Sequence, residues 1–84
     1  MDWDTSYEIF DLIQDTAVEV AAGPEEGRLV TLQGLRSVAL DLEINIREDI
    51  GWDTEEAATV SRRSTEARSF VDGIVQMDAK LLLK

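Results

Sequence analysis

Residues 32 to 46 read LQGLRSVALDLEINI, an apolar-rich run with a single hydroxyl, Ser37, near its centre. At the first turn of a helix such a serine presents its Oγ to solvent, and the free N–H groups and positive end of the helix favour a phosphodiester formed there. The same hydroxyl serves equally as an N-cap. In a strand it is no more than a turn residue. The remaining groups with chemistry to offer are carboxylates. Asp41, Glu43, Glu48, Asp49, Glu55 and Glu56 crowd the segment that follows Ser37. They form a candidate acidic face for a basic partner or, more simply, a solvated surface. Their spacing is not that of a calcium loop, and no specific cation site is expected.

The inventory excludes most other chemistry. The chain has no cysteine and no histidine, which removes thiol nucleophiles, disulfides, thiolate zinc sites and imidazole bases. Its 84 residues make one domain, 1–84, too small to hold both a core and a deep catalytic cleft. The expectation is a non-catalytic module. Eighteen acids against eight bases leave a net charge of −10, which nucleic acid and anionic lipid would repel, so basic surfaces are the expected partners. The charge is uneven: residues 1–22 carry six acids and no base, and residues 41–56 carry seven acids against Arg47 alone. No apolar run approaches the roughly 20 residues of a membrane span, and the start MDWDTSYE lacks the basic opening of a signal peptide. A cytoplasmic, monomeric protein is expected.

The elements that would position these groups are mainly helical. Thr5 and Glu8 have capping-box spacing, and Ile9, Ile13, Ala17 and Val20 form one apolar stripe that ends at Gly23-Pro24. GPEEGRLVTLQG then reads as a long loop held down by Leu29, Val30 and Leu32. Over residues 40–46 apolar residues alternate strictly with Asp41, Glu43 and Asn45, as in a strand that would pair with RLVTL in a hairpin. Ala39, Leu42, Ile46 and Ile50 recur at helical spacing over a longer window, which favours a helix. Asp53 or Thr54 is placed to cap a short helix of about two turns, with Glu55 and Glu56 in its first turn. A last helix starts at Ser64 or Thr65 and carries Ala67, Phe70, Val71, Ile74, Met77 and Leu81. Arg62-Arg63 then falls in the connection before it, and Trp3 and Trp52 read as partly buried packing residues. The expected core is Ile9, Ile13, Leu32, Leu42, Ile46, Ile50, Phe70, Val71 and Ile74.

This order of elements in an acidic chain resembles the acyl carrier proteins of fatty-acid and polyketide synthesis. Leu29-Val30-Thr31-Leu32 is similar to the family's apolar pair, and Gly34-Leu35-Arg36-Ser37-Val38 to its Gly-x-Asp-Ser-Leu. Arg36 and Val38 stand where the family has aspartate and leucine. Leu40-Asp41-Leu42, Ile46-Arg47-Glu48-Asp49-Ile50-Gly51 and Thr54-Glu55-Glu56-Ala57 match the segments that follow. Aligned without a gap, the helix sets Arg36 at the serine position. The resemblance spans most of residues 6–75. It implies an all-α, acyl-carrier-like bundle of three main helices plus one short helix, with a long loop after the first. It also implies a 4′-phosphopantetheine arm on Ser37 carrying acyl or polyketide intermediates as thioesters. Phosphopantetheinyl transferase, ketosynthase and acyltransferase types of enzyme would then dock on the acidic face, and Arg36 would stand near the arm's phosphate. The alternative is a helical binding module of the same kind without the arm, docking through that face. A hairpin-containing α+β protein with an inhibitory role is the other rival.

Overall fold

The computed structural model describes the backbone of residues 3–82 and the side chains of residues 7–77. Three helices run up, down and up: α1 (Trp3–Ala22), α2 (Arg28–Ile50) and α3 (Glu55–Leu82). The described residues contain no strand, so the helical stripe through Ala39, Leu42 and Ile46 prevails over the alternating pattern. The connections are short, and short connections make sequential helices antiparallel neighbours. α1 and α3 therefore run parallel, with α2 between them in chain order and in contact with both.

The first helix ends where expected, at Gly23-Pro24, with the Gly23 N–H donating to the Val20 carbonyl at 3.2 Å. Its start differs, because α1 is already helical at Thr5 and the capping box does not stand at its end. The Thr5 and Trp3 side chains lie outside the described ones.

The expected long loop is a correction, since only residues 23–27 connect α1 to α2. Gly27 takes a positive φ of 74° as the chain turns, and the Arg28 guanidinium donates to the Gly23 carbonyl at 2.6 Å across that turn. The helix then starts at once because Leu32, Leu35, Ala39, Leu42 and Ile46 step by three and four residues without a break, burying one face. Gly34 does not stop it. It lies on the outer face, where an added Cβ would meet nothing within 4 Å.

The expected short helix and final helix are one. Of the two expected caps Thr54 serves α3, its Oγ accepting from the Ala57 N–H at 3.1 Å, with Glu55 and Glu56 in the first turn. The helix continues through Arg62-Arg63-Ser64 without the expected turn, so three helices replace three and a short fourth. Ala57, Val60, Ser64, Ala67 and Val71 keep the three-and-four spacing and all are buried, while Arg62 and Arg63 point outward. At a rise of about 1.5 Å per residue, α3 is about 42 Å long. That is most of the molecule's 46 Å long axis.

Of the expected core, Ile13, Leu32, Ile46 and Val71 are buried, and Ile9, Leu42, Ile50 and Ile74 pack partly buried around them. Phe70 is exposed instead. The buried residues combine one large side chain, Phe10, with the small Ala17, Ala39, Ala67 and Ser64. Small side chains bring helix axes close together, and close approach leaves larger residues at the edges of each stripe outside the seam.

Candidate docking surface

Ser37 is exposed, as expected, but it stands nine residues inside α2. That position rules out the N-cap role and removes the help a helix start would give a phosphodiester. The N–H groups around it are engaged within the helix, and the field of a helix terminus fades within the first turn. It lines a shallow groove of about 540 Å³ between α2 and α3 with Gln33, Arg36, Val71, Asp72 and Val75. The Arg36 Nε donates to both Asp72 carboxylate oxygens, at 3.0 and 3.3 Å. Both side chains are nearly half exposed, and a pair in that setting contributes about 1 kcal/mol or less.

Of the six carboxylates of the expected acidic face, Asp41, Glu48, Asp49, Glu55 and Glu56 are exposed and Glu43 is not. With about 100° between successive residues, Asp41 and Glu48 share the outward line of α2, one heptad apart, and Asp49 lies on its flank. Glu55 and Glu56 belong to the start of α3. Glu43 is a correction: it is buried at the α2–α3 seam and takes no part in an exposed face. The Arg47 guanidinium donates to its Oε2 at 3.1 Å and the Arg68 guanidinium to its Oε1 at 3.0 Å.

That ion pair anchors a wider network. The Arg68 Nε donates to Ser64 Oγ at 3.3 Å, and the Ser64 hydroxyl donates to the Ala39 carbonyl on α2 at 3.0 Å. The Arg47 guanidinium lies 4.3 Å over the Trp52 ring, so Trp52, half-exposed, packs against a cation. A buried carboxylate held by two arginines is costly to desolvate, and its best-supported effect is to select one helix register over others. The network is therefore structural.

The continuous acidic surface lies on α1. Glu8, Asp11, Asp15 and Glu19 are spaced by three, four and four residues and all are exposed. None has an ion-pair partner among the described residues. Carboxylates at i and i+4 repel each other by a few tenths of a kcal/mol per pair, and no base on α1 offsets this. Leu12, 61 % exposed, borders the stripe. The signal was in the sequence as six acids without a base. Reading Glu8 as half of a capping box with Thr5 accounts for the first turn alone and misses the stripe that continues to Glu19.

Among the described residues no three carboxylates converge on a point that would hold a metal ion. No described helix is long and apolar enough to cross a membrane. No protein-family model matches the chain, and comparison with curated proteins and with solved structures found no match.

Proposed function

We propose that this chain is a non-catalytic helical binding module that docks a partner's basic surface against an acidic face. The observation that carries this reading is the α1 stripe of Glu8, Asp11, Asp15 and Glu19, four exposed like charges on a helix without a base, none of them in an ion pair with a described residue. A stripe that destabilises its own helix is neutralised by a partner, and complementary charge speeds the encounter. The test is affinity capture from the source cells with the wild type, an E8K/D15K/E19K variant, and a D41K/E48K variant as control. The expected result is a partner with a basic contact surface that the first variant loses and the second keeps. Equal capture by all three would remove the role of α1.

The acyl-carrier reading is the second, and the accessibility of Ser37 Oγ beside Arg36 is what favours it. Its requirement is a transferase that accepts a serine within a helix. Incubation with coenzyme A and a broad-specificity phosphopantetheinyl transferase, followed by intact-mass measurement, is the direct test. A phosphopantetheine-sized addition lost in Ser37→Ala establishes it. An unmodified wild type ends it, and modification of Arg36→Ser alone would identify a carrier-like domain without an arm.

A further inference from the structure

The binding-module reading leaves open which surface receives the partner and what form the partner takes. The face between α1 and α3 bears on both. The Arg63 guanidinium lies 5.5 Å over the Tyr7 ring, which sets those two residues opposite each other across α1 and α3. Because the two helices run parallel, equal steps along each stay opposite. Val18, eleven residues on from Tyr7, returns to within about 20° of the same line on α1. Phe70 and Met77 follow Arg63 by one and two heptads on α3.

In height above the Tyr7–Arg63 contact, Phe70 stands at about 10 Å, Val18 at about 16 Å and Met77 at about 21 Å. By this geometry they fall in one apolar row along the α1–α3 groove, Phe70 and Met77 turning about 20° and 40° from the Arg63 line. Their exposures are 40 % for Phe70, 51 % for Val18 and 66 % for Met77. Large apolar residues exposed singly are ordinary, but three in register along a groove form an unpartnered face.

The rim of this groove is acidic. Asp11 and Asp15 lie on its α1 side and Glu66 on its α3 side, all exposed. Arg63, engaged with Tyr7, closes one end. A second copy of the chain would bring a net charge of −10 against another −10, which disfavours self-association.

We propose that the α1–α3 groove receives a basic amphipathic helix of a partner protein. Its apolar side chains would lie on Val18, Phe70 and Met77, and its lysines or arginines would face Asp11, Asp15 and Glu66, completing a four-helix bundle. This rests on the binding-module reading. An apolar helix face laid in a groove supplies the contact area and the charged rim supplies orientation and rate.

The test uses the full chain, isotope-labelled for NMR, and a synthetic helical peptide of leucine and lysine with leucine at heptad a and d positions. A scrambled peptide of the same composition is the control. The expected result is shift changes at Val18, Phe70 and Met77 and at the amides of Asp11, Asp15 and Glu66, with the scrambled peptide at least about tenfold weaker. Phe70→Ser should also weaken binding about tenfold with an unchanged helical spectrum, and D11N/D15N should flatten its salt dependence.

Shifts confined to Glu8 and Glu19 with the groove methyls unmoved would overturn the groove and leave the α1 docking reading standing, whereas shifts confined to Asp41 and Glu48 would overturn both. No binding by either peptide would overturn both. Sedimentation of the free chain as a dimer with Phe70 and Met77 in the interface would overturn the proposal by giving the groove to a second copy.

Discussion

Glu43 and Glu48 are five residues apart on one helix, yet they sit in opposite environments. Glu48 is exposed, whereas Glu43 is buried and held by Arg47 and Arg68. Removing the Glu43 carboxylate leaves two guanidinium groups, each about a fifth exposed, without their shared acceptor. Because they retain some water, the loss is smaller than for a fully buried pair. Glu43→Ala should lower stability by about 2–3 kcal/mol in urea denaturation, and Glu48→Ala should lie within about 0.5 kcal/mol of wild type. Equal effects would place both on the surface. Ser64 shows the same point with a neutral group. Its hydroxyl, suited to a helix start, instead spans the α2–α3 seam to the Ala39 carbonyl.

At the scale of the element, helix continuity separates the structure from the acyl-carrier pattern. Continuity through Gly34 makes a direct prediction, since an exposed mid-helix glycine whose added Cβ meets nothing within 4 Å gains from substitution. Gly34→Ala should raise stability by about 0.5–1 kcal/mol. A loop at this position, as the carrier-like pattern has it, would give no such gain. At the other end of α2, Gly51 adopts a φ of 93° as the C-cap, and its N–H donates to the Arg47 carbonyl at 2.9 Å. Gly51→Ala should therefore destabilise by about 1 kcal/mol, the opposite sign for the same chemical change. Thermal melts of the two variants read this contrast directly.

For the whole molecule, the excess of acids dominates. Self-repulsion within a chain of net charge −10 is screened by salt, whereas the buried Glu43 network is screened little. Raising sodium chloride from low concentration to about 0.5 M should therefore raise the melting temperature. A falling temperature would mean that surface ion pairs outweigh the repulsion, and it would remove the argument that the α1 stripe awaits a basic partner.

The sequence by itself determined the stop at Gly23-Pro24 and the exclusion of thiol and imidazole chemistry, favoured the helical class, and narrowed the α3 cap to Asp53 or Thr54. Each depends on local spacing, backbone geometry or the presence of an atom, and none requires knowing what lies opposite. Tertiary structure decided the rest. Ser37 is a helix-start serine or a mid-helix one according to where the stripe through Leu32 and Leu35 finds a seam to fill. Glu43 is a surface acid or a buried anchor according to whether Arg68, 25 residues away, comes within reach. Ser64 begins a helix or crosses one according to whether α2 brings the Ala39 carbonyl to it. A polar side chain carries no mark of its partner, and only the packing of α2 against α3 assigned one.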